Sequence, residues 1–168
     1  MKKLALFDFD GTISKQDSLL LFLRFSVSKS QFFLGAIILS PTIAFYFLGI
    51  LSNHKVKESI FRYFFKSISL NSFQKICSNY AEQRLPTIIR KKALEKILWH
   101  QAQGHQVVVV SASIENYLEP WCDSLNIDLL GTHLEFSEEQ LFTGSFRSPN
   151  CYGLEKVNRI KAQLKLSN

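Results

Sequence analysis

Apolar positions change their rhythm three times along the chain. Leu4-Ala5-Leu6-Phe7 is an unbroken apolar run that stops where Asp8, Asp10 and Gly11 begin, the pattern of a buried strand ending in carboxylates. Leu19–Phe25 then reads as a helix behind an N-cap at Asp17 or Ser18. Residues 31–51 are almost wholly apolar, with Pro41 in the middle. The Ser40-Pro41 step predicts a helix break or a kink, because proline has no N–H to donate and restricts the residue before it. Residues 54–66, 70–83 and 84–102 predict three more helices. In the last, Ile88, Ile89, Ala93, Leu94, Ile97 and Leu98 recur near the helical period, and Gly104 ends it.

The pattern changes again at Gln106-Val107-Val108-Val109-Val110, a β-branched run of the kind that fills a central strand, bounded by Ser111. A helix is predicted from Ser113 to about Trp121. Leu129-Leu130, Thr132–Phe136 and Leu141–Phe146 predict short strands, the last two a hairpin across residues 137–140. Glu155–Leu166 closes the chain as an amphipathic helix. The economical arrangement is an α/β fold. Leu4–Phe7 and Gln106–Val110 are neighbouring parallel strands, a helical insertion between them forms a lid, and ligands sit beyond the carboxyl ends of the strands.

Charge sharpens this picture. Residues 1–52 carry five Lys/Arg and three Asp/Glu, residues 53–104 ten and three, and residues 105–168 five and eight. A basic middle suits phosphorylated ligands or anionic lipid, and no motif for nucleic-acid binding accompanies it. Three cysteines, Cys77, Cys122 and Cys151, are too few and too irregular for a disulfide scaffold or a zinc site, which fits a reducing compartment. Acidic residues arrive too early for a signal peptide, so a cytoplasmic protein is expected. Residues 30–54 lack Asp, Glu, Lys and Arg altogether. They are read either as packed helices or as a membrane-touching surface, with Lys55, Lys57, Arg62 and Lys66 facing anionic headgroups.

The chemistry concentrates at Phe7-Asp8-Phe9-Asp10-Gly11-Thr12. Two carboxylates two residues apart in extended chain project the same way, which suits a divalent cation or a phosphoryl-transfer site. Gly11 permits a tight turn, and its N–H with that of Thr12 forms a cradle for an anion. His100, His105 and His133 show no spacing that suggests a shared ligand, and Cys151 has no partnered histidine for thiol chemistry.

The run FDFDGTIS resembles the first motif of the haloacid dehalogenase-like superfamily, most of whose members are phosphatases acting through an aspartyl-phosphate. VVVVSAS, with Ser111, is similar to the second motif. CYGLEKV, with Lys156, is similar to the third and to the phosphoserine-phosphatase-like branch. The resemblance implies a modified Rossmann three-layer core from residues 1–13 and 86–168, with a helical cap from 14–85. It implies Asp8 as nucleophile, Asp10 as general acid and then base, and Mg²⁺ held by the Asp8 carboxylate and the Asp10 carbonyl. Ser111 and Lys156 would bind the phosphoryl group, with Gly11, Thr12, Asp17 and Ala112 also lining the substrate site.

Its substrate would be a small organic phosphate or a lipid phosphate, since the branch includes enzymes resembling phosphatidylglycerophosphate phosphatases. The family's fourth motif, an acidic G-D-x-x-x-D loop well beyond Lys156, is absent from these 168 residues. The expectation is therefore a C-terminally incomplete core with weak magnesium affinity, and with a sheet edge open to self-association. A catalytically impaired remnant or a phosphate-binding module is the alternative.

Overall fold

A computed structural model describes residues 3–163. The first strand, β1 (Leu4–Phe7), is followed by α1 (Ser18–Ser26), α2 (Lys29–Phe47), α3 (Asn53–Phe65), α4 (Leu70–Gln83), the single turn α5 (Leu85–Ile88) and α6 (Lys91–Ala102). The chain then returns to the sheet as β2 (Gln106–Ile114), crosses through α7 (Glu115–Ser124) to β3 (Asp128–Thr132), forms the hairpin β4 (Leu134–Phe136) and β5 (Phe142–Phe146), and ends in α8 (Leu154–Gln163).

The sheet is parallel in the order β1-β2-β3, with Phe7 opposite Val109, so Asp8 and Ser111 emerge at the same end. This is the α/β architecture expected from the sequence. Valines alternate between two buried faces, which is why the run carries no polar positions. Val107 and Val109 join the larger core with Ile97 of α6 and Leu118 of α7. Val108 and Val110 join Leu130, Cys151 and Ile160 of α8 on the other side. Among the described residues β1 pairs only with β2, and Leu6 is exposed.

The helical insertion is clamped to this core. Lys15 N–H donates to Ile88 O and Arg90 N–H to Ile13 O, both at 2.8 Å, so the outgoing and returning chains pair side by side. Beyond that gate, Phe22, Phe65, Phe73 and Tyr80 pack together in the insertion, and Phe22 stacks on Tyr117 of α7 with ring centroids 4.9 Å apart. Three of the chain's fifteen phenylalanines meet at this seam. The β4–β5 hairpin seals the other side, with Arg62 Nε donating to Gly144 O and Phe146 N–H to Glu58 Oε1.

Four expectations change. Of the break or kink expected at Pro41, the break does not occur, and α2 is one helix. The carbonyl left without its amide partner, Ile37 O, accepts the Ser40 hydroxyl at 2.8 Å instead. The predicted helix over 84–102 is two, parted at Ile89-Arg90, where the chain pairs with Ser14. β2 runs on to Ile114 because Ser111 and Ser113 are buried with their hydroxyls bonded, so the helix starts at Glu115. The closing helix begins at Leu154, and the expected residues 164–166 lie outside the described residues. Gly35 permits α2 to cross closely over α3, where any Cβ would run into the Phe64 ring.

Candidate active site

Leaving β1, the chain is still extended at Asp8 (φ −78°, ψ 154°), and it turns at once through Phe9–Ile13. Gly11 takes φ +79°, which only glycine adopts freely, and Ser14 N–H closes the turn onto Phe9 O at 2.9 Å. The Asp8 side chain secures the turn, its Oδ1 accepting Phe9 N–H at 2.8 Å. The same oxygen meets Lys156 Nζ, from the first turn of α8, at 2.7 Å. A carboxylate and an ammonium from distant ends of the sequence are thus paired at the carboxyl edge of the sheet.

They open onto a cleft of about 490 Å³. Asp8, Asp10, Ser111 and Ala112 form its floor; Tyr152, Gly153 and Lys156 form one wall; Asp17, Asn53 and Lys57 of the insertion form the other. Six of the eight residues singled out from sequence therefore converge. Gly11 and Thr12 do not: both lie on the exposed outside of the turn and are absent from the lining. Asp17 lines the cleft while its Oδ1 also caps α1 through Leu20 N–H at 2.8 Å.

Asp10 is held from behind. Its Oδ1 accepts Ser18 N–H at 2.8 Å, and its Oδ2 accepts the hydroxyls of Ser113 at 2.7 Å and Ser18 at 3.1 Å. Ser18 Oγ in turn lies 3.0 Å from Tyr117 OH, and Tyr80 OH donates to Ser18 O at 2.8 Å. Burial, followed by the nearby Asp10 charge, pushes both tyrosines above their ordinary range, so both stay neutral donors. Proton directions then follow by counting: Tyr117 donates to Ser18, and Ser18 and Ser113 donate to Asp10. Ser18, Ser113 and Tyr117 were not legible in the sequence as site residues.

Lys57 was not singled out from the sequence as a cleft residue. The membrane-touching reading had it facing headgroups with Lys55, Arg62 and Lys66; it reaches inward and donates to Ala112 O at 2.9 Å, and Arg62 turns to Gly144 O. α3 is held over the cleft by further links: Thr132 Oγ1 lies between Ala112 O and Asn150 Oδ1, Asn150 Nδ2 donates to Asn53 Oδ1 at 2.6 Å, and Asn150 N–H donates to His54 Nδ1. Burial pushes the Lys57 ammonium below its ordinary 10.5, although Asp10 and Asp17 pull it back up. The unfolded chain keeps that proton longer, so stability should rise with pH through the window between the depressed value and 10.5. Lys57→Met is expected to flatten this rise while retaining stability at neutral pH. Urea denaturation of both proteins across that range checks it, and parallel profiles would contradict it. The histidines His100 and His105 do meet, with Nδ1 atoms 2.9 Å apart, away from this cleft.

The donors facing the cleft are oxygens, as a hard cation requires. Magnesium commonly takes one or two carboxylates and completes its shell with substrate oxygens and water. Asp8 and Asp10 line the cleft where such an ion would bind, and among the described residues no cluster of three acidic, His or Cys side chains is present.

Residues 5–168 match the family model of the haloacid dehalogenase-like hydrolases, and the chain belongs to that family. It is 30% identical over 159 residues to protein CicA of Caulobacter vibrioides, covering 94% of this chain and 71% of that protein. A crystal structure of a protein of unknown function from Bordetella pertussis Tohama I superposes with a TM-score of 0.84 at 19% identity, covering 98% of this chain and 75% of the other. A phosphoserine phosphohydrolase-like protein from Francisella tularensis gives 0.66 at 18%, covering 100% and 75%. These structures share the fold over nearly the whole of this chain.

Proposed function

We propose that this hydrolase is a Mg²⁺-dependent phosphomonoesterase that works through an aspartyl-phosphate on Asp8. The observation that carries this reading is the Asp8–Lys156 pair at 2.7 Å, on the floor of a cleft shared with Ser111 and Asp10. An Asp8 carboxylate oxygen attacks phosphorus, the bond to the leaving oxygen breaks, and Asp10 gives that oxygen a proton. Water then attacks the acyl phosphate. Asp10 takes the water's proton, inorganic phosphate departs, and Asp8 is restored.

Lys156 and Ser111 place an ammonium and a hydroxyl where the phosphoryl oxygens carry charge. Bound Mg²⁺ supplies charge neutralisation that lets a carboxylate approach a phosphate. Asp17, Asn53 and Lys57 face the leaving group, a mixed-charge wall suited to a small organic or lipid phosphate bearing a further polar group.

A second reading, phosphate binding without turnover, is favoured by the small number of metal donors among the described residues. One experiment separates them: incubate the chain with p-nitrophenyl phosphate, with Mg²⁺ or with EDTA, and follow both nitrophenol release and an acid-trapped phosphate adduct. The phosphatase reading expects Mg²⁺-dependent release and an adduct. Phosphate binding by calorimetry with neither product would establish the second reading.

A further inference from the structure

We infer that the elbow formed by the C-terminal half of α2 and the α2–α3 turn docks on an anionic lipid bilayer. Large apolar side chains stand in solvent along α2, Phe33 at 64% and Ile37 at 70% exposure, and the exposure continues through its C-terminal end into the turn. Phe47 is 80% exposed, Leu48 70% and Ile50 65%. These three adjoin one another at the tip of a helical hairpin, since Asn53 at the start of α3 contacts Tyr46 at the end of α2. Apolar exposure of this size on one tip calls for a covering surface.

α2 has the length and composition to cross a bilayer, but its neighbours do not allow it. α3 runs back beside α2, with its Phe64 against Gly35, and carries Lys55, Lys57, Glu58 and Arg62. A spanning α2 would pull those charges into hydrocarbon. Insertion of the elbow alone, to the depth of the headgroup boundary, costs no such burial.

Charge selects lipid over a second copy of the chain. Residues 14–85 hold nine Lys or Arg against three Asp or Glu, whereas the remaining residues balance eleven against eleven. Lys57 turns into the cleft and Arg62 to Gly144 O, just as Asp17 faces the cleft and Glu58 is bound to Phe146 N–H, so seven basic residues remain against Glu82. Two such surfaces repel each other, but one is attracted to an anionic membrane. The cleft lies beside the elbow, with Asn53 only three residues beyond Ile50. On its other wall Tyr152 is 61% exposed, and Leu154, next to Gly153, is 82% exposed. Both lips of the cleft thus bear apolar side chains, and docking presents its mouth to headgroup phosphates. Only this last step rests on the phosphatase reading.

The test is flotation of the chain with vesicles of phosphatidylcholine, alone or mixed with phosphatidylglycerol, at low and high salt. The comparison protein carries Phe47→Ser, Leu48→Ser and Ile50→Ser, all outside the catalytic cleft. The wild-type protein is expected to float with the mixed vesicles, and less so at high salt. The triple variant should show a partition coefficient lower by about tenfold or more, with unchanged circular dichroism. Wild-type protein that stays unbound at low salt, or a triple variant that binds equally well, would overturn the proposal. So would a wild-type dimer that the triple substitution dissociates without any vesicle binding. Hydrolysis of p-nitrophenyl phosphate in both proteins tests the catalytic reading separately, because that soluble substrate does not need the elbow.

Discussion

Replacing Asp8 with Asn is expected to eliminate the phosphate adduct and to lower turnover of any hydrolysed phosphomonoester by roughly 10⁴-fold or more, the scale seen when a nucleophile is removed. The amide keeps the shape of the side chain, and its oxygen still accepts Phe9 N–H, so the turn after β1 is preserved. It lacks the anionic oxygen that would attack phosphorus. What it forfeits structurally is the ion pair with Lys156, and because Asp8 is about half exposed that pair is worth only about 0–1 kcal/mol. Activity should therefore vanish while the unfolding transition barely moves. Intact-mass measurement after acid quench, beside urea denaturation, reads both. An adduct that persists in Asp8→Asn would place the nucleophile elsewhere.

The sequence carried the floor of this site because its chemistry is contiguous. Asp8 and Asp10 follow an apolar strand directly, Ser111 ends a run of valines, and Lys156 stands in a compact run of its own. Each signal is local, so each survives without the fold. The support behind Asp10 has no such signature. Ser18 and Ser113 are 95 positions apart, serine is common in loops and caps, and only burial and geometry turn them into donors. Tyr117 reads as one more apolar position of an amphipathic helix.

Lys57 was lost for a different reason. Basic residues on a helix after an apolar stretch look solvated, and periodicity does not reveal that α3 lies over the cleft. Hydrogen bonds between elements distant in sequence place it there, through Asn53, His54 and Asn150. Pro41 shows the converse limit. Its local rule is sound, but a neighbouring serine hydroxyl satisfies the carbonyl that proline strands, and a 19-residue helix passes through.

Substitution of Asp10 separates the two tasks that one carboxylate performs. Its oxygens receive Ser18 N–H, Ser18 Oγ and Ser113 Oγ, all behind the cleft. The backbone N–H cannot reverse its polarity, whereas the two hydroxyls can rotate. Asn at position 10 therefore settles with its oxygen toward Ser18 N–H and its NH₂ toward the serines, which turn to accept it. Ser18 Oγ has two lone pairs, so it accepts the amide and Tyr117 OH together and turns its own proton to Ser113 Oγ, 3.0 Å away. The cost falls on the Ser113 hydroxyl proton, which loses its carboxylate acceptor; a buried group left this way costs about 1–3 kcal/mol.

Catalysis suffers more, since an amide neither protonates a leaving oxygen nor takes a proton from water. Turnover should drop by about 10²- to 10⁴-fold. Because Asp8 remains, the adduct should still form with an activated ester such as p-nitrophenyl phosphate, whose leaving group needs little protonation, and then persist because water is no longer activated. Ser113→Ala supplies the contrast: it removes the 2.7 Å donor, lowers stability by a similar amount and leaves the proton-transferring carboxyl in place. Single-turnover kinetics of adduct formation and decay in both variants test this assignment. An Asp10→Asn protein whose adduct decays as fast as that of the wild type would remove Asp10 from the acid–base role and leave it as the anchor of the buried serine–tyrosine network.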